Sequence, residues 1–187
     1  MADKDIVEKD TVETALTEAA EEIEGNRGSG TRIVIRALTL GGVAGLRSLL
    51  APALLSQKLA QKNPNGAASQ VSQALAEPPV ATTLKVLSVG ELVADKLPKT
   101  PNRIDPLPLA FRAVSGALVG GAVFSSAKRP AWIGALLGAG AAVGAAYGGY
   151  HLRKMADEKL SLPDPVIALL EDAIAVGLGS AVLAGDN

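Results

Sequence analysis

The sequence predicts an all-α fold: a polytopic membrane helical bundle of about five transmembrane helices behind an acidic N-terminal tail. Three observations predict it. Several apolar segments approach the ~20 residues that cross a bilayer, the chain has 20 glycines but only 3% aromatic residues, and the run from Trp132 to Tyr150 has no charge. Glycine weakens helices in water but lets helices pack closely in lipid, whereas aromatic residues supply much of a soluble core. The composition therefore favours lipid as the surrounding solvent.

The chain divides at about residue 30. Residues 1–26 contain nine acidic and two basic residues, so this segment carries a net charge of −7 within a total of −1. Residues 1–30 are predicted to be a cytoplasmic tail, largely disordered or marginally helical, with a glycine-rich linker at its end. Residues 31–187 are predicted to be the transmembrane domain. The alternative for the tail is an amphipathic helix that binds a soluble partner.

Helix one is predicted at 33–55. Its apolar part, 37–55, contains Arg47 as its one charged residue. That length is sufficient for a hydrocarbon layer of ~30 Å at ~1.5 Å per residue. Pro52 is expected to kink the far end of this helix.

Helix two is predicted from Val80 to Leu97, after a polar stretch at 56–79 with turn signals. It carries Lys85 and two acids, so its hydropathy is a weak signal.

Helices three and five, predicted at 106–127 and 164–184, both begin after an aspartate with a proline at the first helical position. That pair is typical of a helix N-terminus. Helix four, at 131–150, has no charge and has Trp and Tyr at its ends, as at membrane interfaces. A soluble bundle is the alternative, since helices two and five are amphipathic, but the uncharged helix four opposes it.

Glycines repeat every four positions on three of the predicted helices. This spacing places them on one helix face, where they allow neighbouring backbones to approach. We expect these faces to mediate helix packing or assembly into a homo-oligomer in the lipid bilayer. They comprise Gly41, Gly45, Gly116, Gly120, Gly140, Gly144 and Gly148.

Lysine and arginine predict the orientation, because cytoplasmic loops of membrane proteins are enriched in both. With the N-terminus inside, twelve of these residues fall on the cytoplasmic side and five on the outer side. The N-terminus is therefore predicted to be cytoplasmic and the C-terminus to lie outside.

Charged side chains persist within the predicted helices, although each costs about 2.5–3.5 kcal/mol in a bilayer. Glu91 and Asp95 are four residues apart on one helix face. Two ionised carboxylates at such a short distance would repel each other. Arg47 is the expected cationic partner of these acids, and Arg112 is the second. The predicted intramembrane polar or ion-pair site comprises Arg47, Glu91, Asp95, Arg112, Glu171 and Asp172.

Two interpretations of this site stay open. In the first, it is a midplane pathway for a proton, an ion or a small solute, and the protein is a small transporter or channel. In the second, Arg47 pairs with Glu91 or Glu171 only to lock the helices together. The protein is then a non-catalytic membrane scaffold whose tail binds a soluble partner.

An inverted repeat would favour the first interpretation. Helices one and two resemble helices four and five, since each pair joins a glycine-rich helix to one with a mid-span glutamate, Glu91 or Glu171. One helix separates the pairs, so they would have opposite orientations, as in many transporters. Two glycine-rich pairs can also match by chance.

Several kinds of chemistry are not expected. The chain has no cysteine, which excludes disulfides and thiolate catalysis. Its one histidine, His151, lies at a predicted helix end, so neither a metal site nor a cofactor is expected. The basic residues form no stripe with stacking aromatics, so nucleic acid is not an expected partner. A membrane enzyme that acts on lipids, the third class, needs a nucleophile or metal set that the sequence lacks, and we expect no enzymatic activity.

Several segments are similar to one bacterial membrane family. The most specific is the run Glu-Leu-Val-Ala-Asp-Lys-Leu-Pro from Glu91 to Pro98. The others are Gly45-Leu46-Arg47-Ser48 and the stretches at 112–116, 148–153 and 163–172. The family is defined only as a domain of unknown function, DUF4126, and the resemblance covers about residues 32–185. It implies a multi-pass protein of a bacterial inner membrane, and it implies no mechanism.

Overall fold

The computed structural model describes residues 28–61, 69–94, 104–160 and 164–185. The acidic tail up to residue 27 and Asp95 lie outside the described residues. Val34–Asn187 form one compact unit. The described residues are helical without strands, which confirms the all-α prediction. The helices are α1 (28–46), α2 (Leu50–Gln61), α3 (Gln70–Ala76), α4 (Pro78–Ala94), α5 (Pro106–Ser126), α6 (Ala131–Leu160) and α7 (Asp164–Ala184).

The first predicted helix is interrupted. Residues 47–49 separate α1 from α2, whereas the sequence predicted one continuous helix at 33–55. Pro52 explains why a continuous helix is disfavoured here. It occupies the first turn of α2, where a missing N–H removes no helical hydrogen bond. In a continuous helix its ring would clash with the carbonyl of Ser48, four residues earlier. The proline therefore accompanies a break one turn before it, and not the predicted kink at the far end.

The segment after the break is more helical than predicted. α2 continues to Gln61, and α3 begins after Ser69, whose hydroxyl accepts a hydrogen bond from the Ser72 amide at 3.1 Å. Such a serine is a favourable N-cap. Buried Ser56 on α2 donates to the carbonyl of Leu75 on α3. The bond between Ser56 and Leu75 holds α3 against α2.

A tight turn joins α5 and α6 into a packed antiparallel pair. Lys128 adopts a left-handed backbone conformation with φ of 55°. Its amide donates to the Ser125 carbonyl, and the Arg129 amide donates to the Phe124 carbonyl, both at 2.9 Å. This left-handed residue ends a helix by satisfying its last carbonyl groups. The turn lies where the sequence separates the helices predicted at 106–127 and 131–150.

Glycines bring the backbones of α1, α5 and α6 together. A Cβ atom at Gly41 on α1 would overlap the carbonyl oxygen of Gly138 on α6. A Cβ atom at Gly116 on α5 would overlap the same carbonyl oxygen. Gly45 and Gly120 make equally close approaches to α6, so α1 and α5 both pack closely on it. Such close packing is typical of helices in lipid.

The packing face of α6 differs from the predicted one. Gly140, Gly144 and Gly148 are exposed, and no atom lies within 4 Å of a Cβ added at any of them. Gly134 and Gly138 instead meet α5. Both sets repeat every four residues, so the spacing alone does not distinguish the face that packs from the one that does not.

The surface of these helices is compatible with a membrane protein. Large apolar side chains point outward, among them Leu107 at 77% exposure and Leu169 at 57%. Contiguous exposed apolar surface indicates contact with lipid or a partner. The predicted count of five spans is not confirmed, because the first is broken and α4 has 17 residues. Within the described residues, three helical segments are long and apolar enough to cross a membrane: Pro106–Ser126, Ala131–Ala156 and Val166–Ala184.

The two predicted helix pairs differ in detail. The first helix of one pair is broken at 47–49, whereas α6 is continuous over 30 residues and extends beyond its predicted end at residue 150. In both pairs, the acidic helix nevertheless places a carboxylate at the break between α1 and α2. These acidic helices are α4 and α7.

Candidate polar site at the helix break

Interrupting a helix exposes backbone groups that need hydrogen-bond partners. At the break between α1 and α2, side chains from α4 and α5 supply such partners, and α7 supplies an ion pair. The site is therefore built from an irregular backbone segment surrounded by polar groups of three other helices.

Glu91 on α4 binds the beginning of α2. Its Oε1 accepts a hydrogen bond from the Ser48 amide at 2.7 Å, and its Oε2 accepts one from the Leu49 amide at 2.8 Å. A carboxylate is favourable there, because the free N–H groups at a helix N-terminus carry partial positive charge. Glu91 thus binds the two amides that directly precede α2, at the end where the helix dipole favours a negative charge.

Arg112 on α5 binds the end of α1. Its Nη1 donates to the carbonyl oxygens of Gly45 and Leu46, at 2.7 Å and 2.9 Å. A cation is favourable at a helix C-terminus, where the last carbonyl groups carry partial negative charge. The C-terminus of α1 therefore faces a positive side chain and the N-terminus of α2 faces a negative one, as each helix dipole favours.

Ser115, one turn after Arg112 on α5, donates its hydroxyl to the Ser48 carbonyl. In an unbroken helix that carbonyl would accept from the amide of residue 52. Pro52 has no amide hydrogen to give. The hydroxyl of Ser115 takes the place of the missing donor.

Arg47 lies in the break and pairs with Asp172 on α7. Its Nε is 2.5 Å from Asp172 Oδ1. Arg47 is 1% exposed, and Asp172 is also buried. A charge at this depth is tolerated only with a close partner of opposite sign. The pair connects the irregular segment to α7.

Glu171, the next residue on α7, belongs to a neighbouring pair. Its Oε2 accepts from Arg153 Nη2 on α6 at 3.2 Å. The side chains of Arg153 and Glu171 are 27% and 14% exposed, so this pair is more accessible than Arg47–Asp172. The pair between Arg153 and Glu171 can form because α6 continues past residue 150, its predicted end.

The structure brings four of the six predicted site residues to the break: Arg47, Glu91, Arg112 and Asp172. Glu171 lies beside them with Arg153, and Asp95 is outside the described residues. Arg47 pairs with Asp172, an acid that the sequence had not suggested as its partner beside Glu91 and Glu171.

Sequence reasoning missed two members of the site. Ser115 lies three positions after Arg112, on the same helix face, and this spacing was a usable signal. Arg153 lies beyond residue 150, where helix four is predicted to end, but α6 continues past it.

The formal charges at the break balance. Arg47 and Arg112 offset Glu91 and Asp172 around one backbone segment. In the described part of the chain, no three His, Cys, Asp or Glu side chains come together as a metal-binding group.

Comparison with known proteins gives a family without an assigned activity. The family model described as a domain of unknown function, DUF4126, matches residues 34–184. No curated protein and no solved structure is significantly similar to the chain. The match spans α2 to α7 and most of α1, and therefore contains the whole break. The chain belongs to the DUF4126 family.

Proposed function

We propose that this chain is a small transport protein of a bacterial inner membrane, which moves a proton, an ion or a small solute past the break between α1 and α2. One observation supports the proposal: a helix is interrupted within an apolar bundle, and ionisable side chains hold the exposed backbone groups. Irregular backbone at membrane depth occurs where it is buried in protein or lines a cavity. Transporters place such half-helix ends at their substrate and ion sites.

The second candidate is a non-catalytic membrane scaffold. It is favoured by the burial of Arg47 and Asp172 and by the close glycine contacts of α1, α5 and α6. In that role the charges fix the position of the broken helix, and the exposed glycine face of α6 is available to a second copy. The acidic tail would then recruit a soluble partner.

Reconstitution in liposomes distinguishes the two. Purified protein on a solid-supported membrane is exposed to concentration jumps of protons, sodium and chloride, and the charge that moves is recorded. We expect a current that Glu91→Gln and Glu171→Gln each abolish without loss of folded protein. Glu77→Gln is the matched control, because Glu77 is exposed between α3 and α4 and should leave the current unchanged.

The scaffold is supported by the opposite pattern. In that case no jump produces a current, and the two variants at the site lower the melting temperature while Glu77→Gln does not. We also place the N-terminus in the cytoplasm, on the twelve-to-five distribution of lysine and arginine.

A further inference from the structure

We infer that Glu91 is a proton-controlled latch: protonation of its carboxylate releases the N-terminus of α2, which makes the proton the ion that drives or gates transport. The inference rests on the proposed function for its role in transport. The latch itself can be measured without any flux.

The geometry of Glu91 depends on its being a carboxylate. Each of its two oxygens accepts one backbone hydrogen bond, from Ser48 and from Leu49. When a proton binds one oxygen, that oxygen becomes a hydroxyl donor that faces an amide donor. The remaining bond is no longer charge-assisted, and the helix N-terminus loses the negative charge that stabilises it. Protonation therefore weakens both contacts at once.

The two sides of the break differ in accessibility. On the α1 side, Arg112 is 5% exposed and holds two carbonyl groups. Asp172, at 9%, holds Arg47. On the α2 side, Glu91 is half-buried and therefore less enclosed than Arg112 and Asp172. The movable contact is therefore the one between α4 and the start of α2.

Among the charged groups at the break, Glu91 is the one whose charge can change. The break presents Arg47, which is paired with Asp172, and α5 presents Arg112. α4 packs against α2 and α3. α2 carries one charge, Lys58 in its last turn, and α3 carries none. On α4, Lys85 lies almost two turns before Glu91. Arginines keep their protons at any ordinary pH, so among the charged groups that bind the break backbone directly, only the carboxylate of Glu91 can change its charge.

The absence of cysteine from the chain allows a direct test. Leu49→Cys retains the backbone amide that Glu91 binds and places one thiol at the break. The protein is placed in nanodiscs, without a gradient, and its rate of reaction with a small maleimide is measured. Gln70→Cys, at an exposed position on α3, supplies the rate that corrects for the pH dependence of the thiol itself.

We expect Glu91→Gln to raise the normalised labelling rate of Cys at position 49 by about tenfold or more at pH ~8, because two charge-assisted bonds are lost. With Glu91 present, the rate should rise towards that value as the pH falls to ~4, the range in which glutamates ordinarily take up a proton, whereas the Gln variant should show no further pH dependence. Glu77→Gln should behave like the unchanged protein.

Equal normalised rates with Glu91 and Gln at every pH would overturn the inference. If Glu91→Gln does not fold, a pH-independent rate for Leu49→Cys alone would also overturn it. A pH-dependent latch without any current leaves the inference standing and removes the transport proposal. A current with no pH-dependent labelling supports the transport proposal and overturns the inference.

Discussion

Arg47 in the break and Asp172 on α7 form a buried ion pair, with 2.5 Å between Nε and Oδ1 across 125 positions of sequence. Removing one member leaves the other charged group buried and without its nearest counter-charge, which typically costs about 3–5 kcal/mol. The pair is therefore one of the contacts that hold the broken helix against α7.

We expect Asp172→Asn and Arg47→Gln each to lower the free energy of unfolding by about 3–5 kcal/mol. The double replacement Arg47→Met with Asp172→Leu should lose much less than the sum of the two. Equilibrium unfolding in mixed micelles measures these differences. Arg153→Gln is the control, since its pair is 27% and 14% exposed and should contribute about 1 kcal/mol or less. Equal losses for Arg47→Gln and Arg153→Gln would show that burial of the pair does not matter.

Two glycines of α6 should respond oppositely to the same change. Gly138→Ala places a methyl group against the Gly116 carbonyl of α5 and should lower the free energy of unfolding by about 1–3 kcal/mol. Gly140→Ala meets open space and should leave stability unchanged or raise it by up to about 1 kcal/mol, because alanine favours the helix. Thermal unfolding in one detergent measures both. A larger loss for Gly140→Ala would indicate that its face packs against a second copy.

Much of the site could be predicted because a charge in an apolar helix has few explanations. Arg47, Glu91 and Asp172 each stand out from apolar neighbours, and the expense of burying them indicates that they must meet partners. Which partner each one meets could not be predicted. Glu171 and Asp172 are adjacent, and the rotation of α7 alone decides which of them reaches Arg47.

The break itself could not be placed from hydropathy. Residues 47–49 lie within an apolar run, and proline alone predicts only a kink or a break nearby. What fixes the position is a set of distant donors and acceptors, Glu91, Arg112 and Ser115, that satisfy the backbone there. Local sequence does not contain that information.

Ser115 and Pro52 should be coupled through the Ser48 carbonyl. Ser115→Ala removes the donor to that buried carbonyl and should lower the free energy of unfolding by about 1–3 kcal/mol. Pro52→Ala restores an amide hydrogen four residues after Ser48. The double variant should therefore lose less than the sum of the single ones, with a coupling of about 1 kcal/mol. Additive effects would mean that the hydroxyl does not substitute for the missing amide.

The orientation makes a prediction about intact bacterial cells. Residues 56–79 are expected outside and residue 154 inside, because the N-terminus is placed on the side with more lysine and arginine. Gln70→Cys and Lys154→Cys lie at exposed positions, and each is the chain's one thiol. A membrane-impermeant maleimide should label position 70 in intact cells and position 154 only after permeabilisation. The reverse pattern would place the N-terminus outside. Labelling of both positions only after permeabilisation would show that position 70 is not exposed at the cell exterior, and the proposed crossing between the two positions would then be wrong.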